Sequence, residues 1–126
     1  MTGCPVESAD GLPAKEKNTR TLEFDEKIIL RAVTSILKER GFEEPKVDSE
    51  KGKVETNYVV EGDYRTRVEA TVKKIARNEG EVTLSIITEQ KSYSGWKPKN
   101  IVGKDQYDKF FDEIEMQSYR ELAKGK

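Results

Sequence analysis

KVETNYVVEGDYRTRVEATVKKIARNEGEVTLSIITEQKS, residues 53–92, is the stretch whose reading decides the fold. Val54, Thr56, Tyr58 and Val60 fall on alternate positions, as do Thr66, Val68, Ala70 and Val72, and then Val82, Leu84, Ile86 and Thr88. Arg65, Arg67, Glu69, Thr71 and Lys73 stand between the members of the second run, and Thr83, Ser85, Ile87 and Glu89 between those of the third. Successive side chains of a strand point to opposite faces, so a period of two marks a sheet with one buried face and one wet face. Glu61-Gly62-Asp63 and Asn78-Glu79-Gly80 punctuate the runs, each with a glycine for the positive φ of a tight hairpin. Ile75 and Ile87 break the alternation; a β-bulge near Lys73-Lys74, or partial cover of the second face, accounts for them.

Upstream, Asp25 is a suitable N-cap for a helix whose apolar residues Ile29, Ala32, Val33, Ile36 and Leu37 recur at spacings of three and four. Gly41 suits the left-handed residue that ends such a helix, and Phe42 after it can staple back onto Leu37. Lys46-Val47-Asp48-Ser49 reads as a short first strand that turns through Glu50-Lys51-Gly52 into the long one. Downstream of residue 92 the period stops, and Tyr93, Gly95, Trp96, Pro98 and Gly103 mark an irregular loop. A second helix is expected from Asp105 as N-cap, with Tyr107, Phe110, Phe111, Ile114, Ser118 and Leu122 as its packing face. On that face Phe111 is central, over Val68, Ala70 and Leu84, and Phe110 lies towards one side.

A meander cannot bury its apolar face alone, and two amphipathic helices are available to cover it. The expected fold class is α+β: a four-stranded antiparallel meander with the N- and C-terminal helices packed on one face. The expected domain organisation is a disordered tether over residues 1–22, a single α+β domain over 23–122 and a frayed end over 123–126. The element order resembles helix-grip domains of the BamC type, across the α+β domain and at the level of order alone.

The 126 residues carry a net charge of −1, so no overall field steers the chain to nucleic acid or to an anionic membrane. Charged residues make up 37% and hydrophobic ones 34%, which points to a very soluble surface over a modest core. Histidine is absent, and with it the commonest general acid–base and zinc ligand. The single cysteine, Cys4, permits neither an internal disulfide nor a cysteine metal cluster. No phosphate-binding glycine loop or calcium-loop spacing occurs, and Glu61 and Asp63 beside Gly62 serve turn geometry. The expectation is a non-catalytic domain with no catalytic residue, no metal site and no cofactor.

Thr2-Gly3-Cys4 is similar to the last three positions of the box that ends bacterial lipoprotein signal peptides. The charged and hydrophobic parts of a signal are missing, and Met1 stands where the aliphatic residue would be, as in a chain whose signal has been removed. The resemblance implies lipidation at Cys4, a flexible tether behind it and residence in the bacterial periplasm or at the outer membrane, with membrane contact through the lipid anchor only. A chance Gly-Cys in a tail is the other reading of the same residues. Tyr93 and Trp96, with Lys97 and Lys99 beside them, form the one stretch with a binding flavour: such residues stack bases, hold a glycan or anchor a protein, here an envelope partner, and the other reading for Trp96 is a cap on the core. Arg65, Arg67 and Lys73 form either a basic stripe or cross-strand pairs with Glu55, Glu69 and Glu89, of which pairs are the commoner use. A small-ligand carrier with a cavity between helices and sheet is the alternative function. An RNA-binding sheet is disfavoured, because only Tyr58 and Tyr64 are available as strand aromatics and Tyr58 is assigned to the core.

Overall fold

The computed structural model describes residues 18–99 and 102–124. In order the elements are β1 (Thr19–Leu22), α1 (Glu26–Glu39), β2 (Lys46–Asp48), β3 (Lys53–Glu55), β4 (Val59–Glu61), β5 (Tyr64–Ala76), β6 (Glu79–Ser92), β7 (Gly95–Pro98) and α2 (Lys104–Lys124). The fold is α+β, two helices with a large antiparallel sheet. The sheet has seven strands among the described residues, not four. Its order is β1-β6-β5-β3-β2, with β4 on the β5 edge beyond β3 and β7 pairing with β6.

Three differences make up the change from four strands to seven. Thr19–Leu22 belongs to the sheet, paired with residues 80–83 of β6, so the domain starts before residue 23. Leu22 is buried there, and Arg20 reaches Asp112 of α2 at 2.8 Å. The tether expected for residues 1–17 and Cys4 itself lie outside the described residues. Second, the stretch after Ser92 is not a loop throughout. Residues 93–94 form a tight turn, Gly95 takes φ +112°, and β7 folds back on β6 with Lys91 opposite Trp96.

Third, the first long run is broken. Glu55 opposes Glu69 while Val59 opposes Thr66, so residues 56–58 face residues 67–68 and one residue is extra. At this bulge Thr56 donates its N–H to the Val68 carbonyl (3.0 Å), and its hydroxyl accepts the Val68 N–H (2.9 Å) in place of its own carbonyl. An extra residue reverses the alternation. Val54 and Thr56 are buried, but beyond the bulge Val59 packs against the core and Val60 is exposed. Tyr58 leaves the core side. A second bulge separates Lys74 from Ala76, one residue past the expected place, and leaves Ile75 half-exposed.

The core is one cluster fed by both helices and by one face of the sheet: Ile29, Ala32, Val33, Ile36 and Leu37 from α1, Tyr107, Phe110, Phe111 and Ile114 from α2, and Val54, Val68, Ala70, Val72, Val82 and Leu84 below them. Asp25 caps α1 by accepting the Lys27 N–H. Its far end closes as a Schellman motif: Gly41 at φ +99° donates to Lys38, and Phe42 donates to Leu37. Gly80 proves to be a strand residue without positive φ. Its function is close approach, because a Cβ there would lie 2.7 Å from Ile29 Cδ1.

α2 departs from expectation at both ends. Gly103, not Asp105, occupies the cap, since its carbonyl accepts the N–H of Tyr107 and its own N–H is taken by Gln106 Oε1. The helix runs through Lys124, so it takes in Ala123 and Lys124 of the end expected to fray. Its last turns lean on α1 rather than on the sheet. Gln117 and Glu121 are therefore buried and Leu122 is 40% exposed. Phe110 is no rim residue: both rings are 1% exposed, with Arg40 stacked on Phe110 and Arg20 on Phe111.

Candidate binding surface on the outer sheet face

The face of β5 and β6 turned away from the helices carries Arg65, Arg67 and Glu69 opposite Glu89, Ile87 and Ser85. The Arg65 guanidinium meets Glu89 Oε1 through Nε at 2.7 Å and Nη2 at 2.6 Å. It lies 4.0 Å from the centre of the Tyr58 ring and 4.7 Å from that of Trp96. A guanidinium held by a carboxylate and by two aromatic rings has few rotamers left, so most of its side-chain entropy is lost before any partner arrives. Arg67 repeats the pattern more loosely, with Glu69 at 2.7 Å and the Tyr58 ring at 5.8 Å. The Glu69 hydrogen bond raises the Arg67 pKa further above its ordinary value. Of the cross-strand pairs expected for these charges, Arg65 with Glu89 is present; Glu69 pairs with Arg67 and Glu55 with Lys53 (3.5 Å), each within a single strand.

The bulge in residues 56–58 delivers Tyr58 to this surface, and the β6–β7 hairpin delivers Trp96. Neither event is local to the arginine they enclose. Trp96 does not cap the core: it is half-buried on the outer face beside Arg65. Tyr93 stands fully exposed at the hairpin tip, with Lys97 and Lys99 exposed on β7 and just after it. Lys91, Lys97 and Lys99 take part in no ion pair among the described residues. Tyr93, Trp96, Lys97 and Lys99 thus share one end of the sheet; Arg65 and Glu89, expected as a cross-strand pair, join them there, and Tyr58, expected in the core, is the member that reading the sequence missed. The signal that could have found Tyr58 is Asn57, a poor strand former inside the run.

Other charged groups tie the elements together. Arg20 also approaches Asp108 (3.7 Å) and Glu115 (3.9 Å), tying the edge strand β1 to α2. Lys104 donates to Asp108, which raises the pKa of the lysine and lowers that of the aspartate. Glu121 accepts from Gln117 of its own helix at 2.8 Å and from Ser35 of α1 at 3.4 Å, and the Gln117 bond holds its carboxyl below the usual range. Among the described residues no group of three His, Cys, Asp or Glu side chains could hold a metal ion, and no helix is long and apolar enough to cross a membrane. No family model matches this chain, and no curated protein is significantly similar to it.

Proposed function

We propose that this chain is a non-catalytic domain of a bacterial cell-envelope lipoprotein, anchored through a lipid on Cys4 and acting by contact with an envelope protein. The observation that carries the contact is the preorganised Tyr58–Arg65–Trp96 stack. Rigid aromatic and arginine side chains are the usual anchors of protein interfaces, because little freedom remains to be lost on binding. The surrounding Lys91, Lys97 and Lys99 favour a partner that presents carboxylates, and Tyr93 at the tip offers a further ring. The support for anchoring is the Thr2-Gly3-Cys4 box.

The ligand-carrier reading finds less support. Phe110, Phe111 and Ile114 fill the space between helices and sheet. A surface groove of about 610 Å³ beside Ile86 and Val102 is bordered by Glu39, Arg40, Lys109 and Glu113, a charged rim poorly suited to an apolar ligand.

The test has two readouts in cells expressing the full precursor. Mass spectrometry of the membrane fraction should find Cys4 acylated; an unmodified cysteine there would sink the anchor. A photo-crosslinking residue placed at Tyr93 should give a discrete envelope-protein adduct that Arg65→Ala weakens at least tenfold. An adduct indifferent to Arg65→Ala would remove the stack from the interface.

A further inference from the structure

The opposite side of the molecule carries a second surface, independent of Trp96. β2 ends the sheet order, paired with β3. On either side of β3, Thr56 donates to Val68 and Gly52 accepts from Val72, so the even-numbered residues bond towards β5. Lys53 and Glu55 therefore turn their peptide groups to β2, where they oppose Asp48 and Lys46. Peptide groups alternate along an antiparallel ladder, which leaves the N–H and C=O of Val47 directed outward from the sheet. The Val47 side chain shares the core-facing side with its partner Val54, yet at the edge it is 46% exposed.

Beside that edge runs a groove of about 530 Å³ between β2 and α1, flanked by the last turn of α2. Leu30 and Val47 give it apolar wall, and Lys27, Arg31 and Lys124 line it as cations. Lys27 and Arg31 enter no ion pair among the described residues. The carboxylate that lines the groove, Glu121, is already engaged by Gln117, Ser35 and Lys124. A strand edge unpaired among the described residues, an apolar slot and an excess of positive charge thus meet in one corner.

We propose that this corner binds an extended acidic segment of another protein, added to the sheet as a strand beside β2. The incoming backbone bonds to the Val47 N–H and C=O, one apolar side chain lies against Leu30 and Val47, and carboxylates face Lys27, Arg31 and Lys124. Strand addition draws affinity from main-chain hydrogen bonds and specificity from alternate side chains. A second copy of this chain is the poorer occupant. Two β2 edges can match Lys46 with Asp48, but the two-fold axis of such a dimer would bring both sets of cations to the same seam.

The experiment is an amide NMR titration of the full chain with the peptide Val-Glu-Val-Glu-Val-Glu, and with a control carrying lysine at the glutamate positions. Saturable shifts are expected at Leu30, Arg31 and Val47, with at least tenfold weaker binding of the lysine peptide. Val47→Pro removes the outward donor and no ladder bond, a change edge strands tolerate; it should abolish saturation and keep the dispersed spectrum. Lys27→Glu with Arg31→Glu, both exposed, should weaken binding at least tenfold even if the proline variant fails to fold. Trp96→Ala should leave the titration unchanged, which separates this site from the outer face. Equal affinity for the two peptides, indifference to the charge reversals, shifts confined to the Tyr93–Trp96 hairpin, or a dimer that occupies the Val47 edge without peptide would each overturn the proposal.

Discussion

The two faces of β5 and β6 are made from alternate residues of the same strands, yet they are held in opposite ways. On the helix side Val68, Ala70, Val72, Val82 and Leu84 are at most 2% exposed, and stability comes from excluding water over a continuous apolar area. On the outer side Arg65, Arg67, Glu69 and Glu89 remain partly wet, and each interaction is a discrete pair or stack. Area-based stabilisation is collective and leaves little room for an added atom: a Cβ at Gly80 would lie 2.7 Å from Ile29 Cδ1. Pairwise stabilisation is modest and can be rearranged. The second kind of surface can therefore take part in recognition without risking the fold.

The largest effects should come from the covered face. Phe110→Ala and Phe111→Ala should each cost about 3–5 kcal/mol, since both rings are equally buried. Urea denaturation of the two variants reads this directly. A gap of several kcal/mol between them would put one ring at the rim and restore a graded helix–sheet contact.

Gly80→Ala should come next, at about 1–3 kcal/mol, the usual cost of overpacking. Its Cβ would meet Ile29 Cδ1, so Ile29→Val in the same chain should recover part of the loss in a double-mutant cycle. Strict additivity of the two changes would show that α1 lifts from the sheet instead.

On the outer face, a double-mutant cycle of Arg65→Ala and Glu89→Ala should give a coupling of roughly 1 kcal/mol or less, shrinking in high salt. A coupling as large as the phenylalanine losses would mean that this face, too, is part of the core energetics.

The smallest effect is a dependence on pH. The native Glu121 carboxyl titrates below its unfolded value, which is about 4.3. Its contribution is thus fully present above that value and is lost as pH falls through the lower native one. The thermal midpoint of the parent should fall more steeply below about pH 4.3 than that of Glu121→Gln. Parallel curves would show that the Gln117 bond does not favour the ionised form.

Much of the covered face is legible in the order of residues along the chain. The face of α1, that of α2 as far as Ser118, the Schellman ending at Gly41 and the inward sets of β5 and β6 follow from periodicity and from glycine's freedom at positive φ. The candidate surface is legible only in pieces. Tyr93, Trp96, Lys97 and Lys99 stand out by composition, and Arg65 with Glu89 by cross-strand pairing, but nothing joins them to Tyr58. The perfect alternation of Val54, Thr56, Tyr58 and Val60 conceals a bulge, because those residue types are accepted on either face of a strand.

The sequence by itself determined the α+β class, the two helices, the long central hairpin and which of its residues turn inward, since each depends on a local period of 2.0 or 3.6. Tertiary structure decided the rest. It recruited Thr19–Leu22 as an edge strand, a segment too short to carry a readable period, through Arg20 and Leu22. It gave Gly80 to helix packing rather than to a turn, and turned the end of α2 onto α1 so that Glu121 is buried and Leu122 is not. It also brought Tyr58 and Trp96 to one guanidinium. Each of these outcomes depends on contacts between residues far apart in the chain, and the space available for such contacts exists only once the layers have met.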